Sequence, residues 1–173
     1  MPSKTPVALL LAATLAGPAL AQSDCLTEAE GRSVVAYALP AAIEATAARC
    51  RPALPAAAWL NRGGASLAAR YRRDGGGNAD AALPVFEKLS GQQVPDMLDP
   101  STVTNIVEKL IFDRIGTAVA TRDCAAVSRI AEQISPLPIG NVAALLVGLV
   151  QLDRSLSSRT GISICPTSTA GAR

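Results

Sequence analysis

Apolar residues recur three and four positions apart along most of the chain, and no segment alternates apolar and polar residues as a half-buried strand does. Thr27 to Glu30 has the sequence of a capping box, which predicts the start of a helix. Pro40 follows the apolar residues of this helix. It is expected to open a second, reversed helix that runs to about Cys50, because proline fits a first helical turn. The pattern therefore predicts an all-α fold.

The later helices are marked by start and stop residues as well as by spacing. Asp99 and Pro100 supply an N-cap and a first-turn proline to the strongest apolar stripe, and Gly91 is placed to end the helix before it. The last helix is apolar nearly all round between Val142 and Leu152, which is typical of the buried centre of a bundle. We therefore expect a compact bundle of about six to seven short helices. Those after Cys50 are predicted over 56–73, 84–90, 100–119, 123–134 and 140–156.

The first 21 residues have the organisation of a secretory signal peptide. Lys4 precedes an apolar stretch over 7–16, which is shorter than the about 20 residues of a membrane span. Ala19-Leu20-Ala21 then supplies the small residues that signal peptidase requires, so cleavage is expected between Ala21 and Gln22. We therefore predict a periplasmic or secreted protein.

Cleavage at this site leaves residues 22–173, which is the length of one helical domain, with a frayed tail over 166–173. The sequence has 16 basic and 14 acidic residues, and the loss of Lys4 lowers its net charge from +2 to +1. This balance predicts no nucleic-acid partner, and no membrane span is expected in the mature chain. Aromatic residues form 3% of the chain, so stacking platforms for bases or sugars are not expected.

Four cysteines follow the leader: Cys25, Cys50, Cys124 and Cys165. An even number in an exported chain predicts two disulfides, and their wide spacing argues against a zinc or dithiol redox motif. Three pairings are open. We favour Cys25–Cys50 and Cys124–Cys165, because each pair brackets an apparent helical hairpin. Cys25 and Cys50 come together if the chain reverses at Pro40. A straight helix would instead hold Cys25 and Cys50 about 36 Å apart and forbid their bond.

The residues that carry common catalytic chemistry are scarce. The chain contains no histidine, which excludes Ser-His-Asp and Cys-His sites and weakens any metal site. Its close acidic pairs are explained by the preference of carboxylates for helix starts. The glycine-rich loop 74–80 has neither the lysine of a phosphate loop nor the ligand spacing of a calcium loop. We therefore predict no catalytic residue, no metal ligand and no cofactor.

Four arginines lie close together on one predicted helix: Arg62, Arg70, Arg72 and Arg73. Arg62, Arg70 and Arg73 are spaced to share a side of that helix, and guanidinium groups bind phosphate and carboxylate strongly. The simpler interpretation is that cations near a helix C-terminus offset its dipole. The group is nevertheless the candidate anion-binding site of the chain.

The segments CLTEAEGRSVVAYALPAAI and DCAAVSRIAEQISPLPIGNVAALLVGLVQL, with the four-cysteine layout, resemble small exported helical proteins of alphaproteobacteria. The similarity covers most of the mature chain. It implies export, helicity and two disulfides, and it implies no activity, substrate or functional residue.

These observations favour a non-enzymatic binding or structural protein of the cell envelope. Its partner would be a periplasmic protein or an anionic envelope component, bound through a helix face or through the arginines. Two alternatives stay open. A carboxylate-dependent envelope hydrolase requires two acidic side chains within about 10 Å in one pocket. A carrier of small apolar ligands requires a cavity between helices.

Overall fold

The computed structural model describes residues 25–75, 79–91, 93, 99–153, 155 and 163–166. The predicted leader, its cleavage site at Ala21 and Gln22, and residues 167–173 of the predicted tail lie outside this part. The described α-helices are α1 (Glu28–Cys50), α2 (Trp59–Gly75), α3 (Ala79–Ser90), α4 (Pro100–Ala118), α5 (Cys124–Ile134) and α6 (Ile139–Leu152). Two short 3₁₀ helices, Arg51–Ala53 and Thr121–Asp123, complete the regular structure of these residues. The predicted all-α bundle of six to seven helices is confirmed.

Local cap chemistry sets several helix boundaries. The Thr27 side chain accepts from the Glu30 N–H while the Glu30 carboxylate accepts from the Thr27 N–H, which is the predicted capping box. The Asp99 side chain caps α4 at the Ser101 and Thr102 amides, as predicted. Gly91 follows α3 with a φ of 67°, a left-handed conformation that glycine adopts at little cost.

Helix α1 lies at the centre and contacts α2, α3, α4 and α6. Pro40 lies inside α1 and is buried, so the predicted break and reversal at this residue is wrong. An interior proline removes one helical hydrogen bond and crowds the carbonyl of Ala36, at a cost of about 3 kcal/mol. The buried residues of α1 are spread around the helix, and packing on several sides offsets this cost.

Two disulfides join Cys25 to Cys165 and Cys50 to Cys124, with Cα–Cα distances of 5.0 and 5.4 Å. No cysteine is free, but the favoured pairs Cys25–Cys50 and Cys124–Cys165 are wrong. The continuity of α1 is the cause. Its 23 residues hold its two ends roughly 33 Å apart, far beyond the reach of a disulfide.

The segments that flank the first disulfide run side by side. The Leu26 N–H donates to the Ser163 carbonyl at 2.7 Å, and the Cys165 N–H donates to the Leu26 carbonyl at 2.8 Å, which forms an isolated parallel bridge. Gly31 allows the close approach of this pair to α1, because a Cβ there would lie 2.9 Å from Cδ1 of Ile164. The segment before α1 and the segment around Ile164 are therefore held together by backbone and disulfide bonds.

The apolar helix α6 is not the buried centre that its sequence predicts. Its Val142 and Val147 are buried, but Leu145, Leu149 and Leu152 are exposed, the last at 85%. Helix α1 occupies the centre instead, and α6 covers it from one side. Within the described ranges, no helix combines the length and apolarity that crossing a bilayer requires.

Candidate anion-binding groove

Helix α2 carries the predicted arginine group and is fixed by contacts with α1 and α5. The Leu60 N–H, which is free at the start of the helix, donates to the buried Ser128 hydroxyl of α5 at 3.1 Å. Gly64 lies against α1, where a Cβ would be 3.4 Å from Cβ of Ala47. The glycines of α2 therefore serve close packing rather than interrupting the helix.

The C-terminal half of α2 is anchored by Tyr71, which is fully buried. Its hydroxyl donates to the carbonyls of Ile134 and Leu137, at 3.0 and 3.2 Å, where α5 gives way to α6. Burial raises the pKa of Tyr71, so this hydroxyl keeps its proton and its role as a donor. The arginines on either side of Tyr71 are therefore held at a defined place beside the α5–α6 junction.

Arg70 is engaged with the same junction. Its guanidinium donates to the carbonyl of Ser135 and, at 3.5 Å, to that of Leu137, and its Nε lies 3.9 Å from a carboxylate oxygen of Asp74. Free carbonyls at a helix C-terminus carry partial negative charge. The Arg70 guanidinium therefore already has hydrogen-bond and charge partners within the protein.

Arg72 points to the other side of α2 and forms a two-pronged ion pair with Glu44 of α1, in which Nη2 lies 2.7 Å from Oε2. The hydrogen bond from Arg72 lowers the pKa of the Glu44 carboxyl. The predicted arginine group is therefore divided, and Arg72 joins two helices rather than facing a ligand.

Arg62 and Arg73 are the two exposed members of the group. Neither forms a hydrogen bond or an ion pair with another part of the described chain. They are eleven residues apart, which places them on nearly the same side of the helix and about 16 Å apart along its axis. These two guanidinium groups are therefore available to an external anion.

Arg73 and Arg70 border an open surface groove of about 310 Å³, which we call the α2 groove. Its floor and walls come from one side of α2 and from the α5–α6 junction. Arg62 and Arg72 are not among its lining residues. The groove is lined by Trp59, Gly63, Ser66, Leu67, Arg70, Arg73 and Ser135.

Trp59 forms the apolar wall of the α2 groove. Its six-membered ring lies over Gly63, where a Cβ would stand 2.8 Å from Cζ2 and 2.9 Å from Cε2. Any larger residue at position 63 would therefore push the indole away. Glycine is needed here for space rather than for an unusual backbone conformation.

The polar side chains that line the α2 groove carry mostly hydrogen-bond donors. Arg73 carries an unanswered charge, and neither the Ser66 hydroxyl nor the Trp59 indole N–H has a hydrogen-bond partner in the described structure. The Ser135 hydroxyl donates to the Glu132 carbonyl at 2.8 Å and offers only its lone pairs. None of the described residues that line the groove is acidic. The groove is thus suited to a ligand rich in acceptors and negatively charged.

A second cleft, of about 270 Å³, brings two carboxylates together between α1 and α4. It contains Glu44 and Glu108, with Arg72 and Lys109 beside them. A carboxyl that acts as a general acid needs a raised pKa. The hydrogen bond from Arg72 lowers the pKa of the Glu44 carboxyl, so Glu44 is not suited to act as a general acid beside Glu108. Across the described residues, no three acidic or cysteine side chains gather as metal ligands.

Most of the α2 groove has a signal in the sequence. Trp59, Gly63, Ser66, Arg70 and Arg73 follow one another at alternating steps of four and three, which is the spacing of one helix face. Only the arginines of this series are predicted from the sequence as site residues. Ser135 comes from a distant segment and has no such signal.

No protein-family model, curated protein or solved structure matches this chain.

Proposed function

We propose that the protein is an exported, non-enzymatic binding protein that holds an anionic ligand in the α2 groove. The observation that carries this proposal is the guanidinium of Arg73, which has no partner among the described residues and lines a groove whose described lining includes no acidic side chain. A charge-assisted hydrogen bond to such a donor is stronger than one between neutral groups. Binding sites commonly combine an apolar lining with a few convergent polar groups, as this groove does.

The proposed location is the periplasm or the extracellular space. It is supported by the signal-peptide pattern of residues 1–21 and by two disulfides, which persist in oxidising compartments. An anionic component of the cell envelope is a natural source of the ligand in either location.

The chain offers a direct reporter for this proposal, because Trp59 is its only tryptophan and lines the groove. We expect tryptophan emission to change on titration with a panel of anions: acetate, cyclohexanecarboxylate, inorganic phosphate and cyclohexyl phosphate. Ionic strength is held constant, because surface charge interactions are screened by salt. The expected result is saturable binding of at least one of these anions.

Arg73→Gln and Arg62→Gln form a matched pair of variants. Both remove one exposed, unpaired guanidinium from the same helix, but only Arg73 lines the groove. We expect Arg73→Gln to weaken anion binding about fivefold to tenfold and Arg62→Gln to leave it nearly unchanged. An emission that no anion changes, or an equal effect of the two variants, would disprove the proposed function.

A further inference from the structure

The charge balance around the α2 groove defines its ligand more closely. We infer that, if the proposed function holds, the groove selects a small organic monocarboxylate with an apolar body, in preference to a phosphate or to a bare inorganic anion. The inference rests on three features of the groove: one cation without a partner, an apolar floor and wall, and a modest volume.

The first feature is the number of free charges. Two arginines line the groove, but Arg70 faces the Ser135 and Leu137 carbonyls and has Asp74 within 3.9 Å. Of these two arginines, only Arg73 has no partner among the described residues. A single cation balances the one charge of a carboxylate. A phosphate monoester, which carries up to two charges near neutral pH, would retain an unbalanced charge.

The second feature is the apolar surface beside this cation. Leu67 is buried beneath the groove, and the Trp59 indole stands over Gly63 as a wall. Bare anions gain nothing from such a surface, whereas a ligand with a hydrocarbon body removes apolar area from water when it binds. The carboxylate would meet Arg73 and the Ser66 hydroxyl, and the body would lie against Trp59 and Leu67.

The third feature is size. The volume of about 310 Å³ is at the lower end of the range for small-molecule pockets and equals that of about ten water molecules. A single six-membered ring with its acid group fits this space. Composition alone gave no reason to expect an aromatic wall here, because the chain has one tryptophan. The fold brings that residue to the groove.

The experiment separates the acid group from the body by titrating the intact, disulfide-bonded protein and following Trp59 emission. The probes are cyclohexanecarboxylate, acetate, cyclohexanemethanol and cyclohexyl phosphate. Acetate lacks the hydrocarbon body, and cyclohexanemethanol lacks the charge. For the carboxylate we expect a dissociation constant on the order of 1 mM, which is typical of a fragment of this size. Acetate and the alcohol should bind about tenfold more weakly or worse.

A glycine pair tests the apolar wall without altering any charge. Gly63→Ala places a methyl group against the indole, while Gly116→Ala adds one on α4 where nothing lies within 4 Å. We expect Gly63→Ala to shift Trp59 emission and to weaken cyclohexanecarboxylate binding about fivefold while acetate binding stays the same. Gly116→Ala should change neither. Thermal unfolding confirms that both variants are folded.

The outcomes distinguish this inference from the proposed function. If cyclohexyl phosphate or acetate binds as tightly as cyclohexanecarboxylate, the inference is overturned. The proposed function is still supported in that case, provided that Arg73→Gln weakens the binding of the anion. Failure of every anion would reject both. Tight binding of cyclohexanemethanol that Arg73→Gln does not weaken would also overturn the inference, because the groove would then select the body alone.

Discussion

Arg70 and Arg73 are one helical turn apart on α2, and their surroundings give them different tasks. Arg70 supplies hydrogen bonds to the Ser135 and Leu137 carbonyls at the α5–α6 junction, whereas Arg73 faces solvent at the rim of the α2 groove. A residue that satisfies backbone carbonyls contributes to stability, and an unpaired exposed cation contributes little. The two arginines are therefore separable by mutation.

We expect Arg70→Gln to lower the free energy of unfolding by about 1–2 kcal/mol, because two carbonyls at a helix end lose a charged donor. Arg73→Gln should change it by less than about 0.5 kcal/mol, as do most surface substitutions. Urea unfolding, followed by circular dichroism, measures both values. Equal stability of the two variants would contradict the structural role assigned to Arg70.

The arginine group also shows how far residue-level reasoning reaches. Its spacing on a helix predicts which members share a side, and the structure places Arg70 and Arg73 together at the groove. Which cation is free depends on partners from distant segments, namely the Ser135 carbonyl for Arg70 and Glu44 for Arg72. No local pattern encodes those contacts, so the sequence could propose the group but not select Arg73.

At the scale of elements, the central helix α1 is joined to its neighbours by two partly exposed ion pairs. Oε2 of Glu30 lies 3.0 Å from Nζ of Lys88 in α3, and the same carboxylate also closes the capping box. Glu44 forms an ion pair with Arg72 of α2. The Thr27 backbone bond is the main cause that lowers the pKa of Glu30, and the Arg72 bond is the main cause for Glu44. Both carboxylates are thus stabilised in their charged form by folding.

The sign of the resulting pH dependence follows from these lowered values. A carboxyl whose pKa is lower in the folded state contributes stability above its ordinary value of 4.5, and this contribution is lost as the pH falls below it. We expect the urea midpoint to fall as the pH falls below about 4.5. The double variant Glu30→Gln, Glu44→Gln should be less stable at neutral pH and show a shallower acid decline.

Glu132→Gln is the control for this experiment, because Glu132 is exposed and forms no ion pair with any described residue. Its acid decline should match that of the unchanged protein. A double variant whose decline is as steep as the wild type would show that other groups govern acid stability. Circular dichroism at each pH distinguishes unfolding from a change in local signal.

Helix boundaries were predictable where a few neighbouring residues decide them, as at Thr27 and Asp99. The break predicted at Pro40 was wrong because the cost of an interior proline is local, while the packing that offsets it comes from the four helices that surround α1. The central, buried position predicted for α6 was wrong for a related reason. An apolar helix can be central only if another helix does not already fill the centre, and here α1 does.

At the scale of the whole molecule, disulfides at the two ends of α1 join this helix to distant parts of the chain. Cys25, just before the helix, bonds to Cys165 near the end of the chain, and Cys50, its last residue, bonds to the first residue of α5. The bonds close loops with sequence separations of 140 and 74 residues. Such loops correspond to at most about 5 and 4.5 kcal/mol of lost unfolded-state entropy. The disulfides therefore oppose unfolding across the span from Cys25 to Cys165.

The two bonds differ in burial, and this difference predicts the order in which they are reduced. Cys50 and Cys124 are 0% and 1% exposed within a core cluster with Leu60, whereas Cys25 and Cys165 are only partly buried. A thiolate must reach the sulfur that it attacks. We expect mild reductant under native conditions to open Cys25–Cys165 first, as measured by alkylation and mass spectrometry of the released cysteines.

Peptide mapping without reduction tests the arrangement itself, on protein recovered from the periplasm or medium of an expressing bacterium. We expect linked peptides that join Cys25 to Cys165 and Cys50 to Cys124, and an N-terminal peptide that begins at Gln22. A Cys25–Cys50 link would require α1 to break, since its ends are too far apart for a bond, and would contradict the central helix on which α2 and its groove are built. An N-terminus at Met1 in correctly linked protein would instead leave the fold intact and reject the proposed export, so the two claims fail separately.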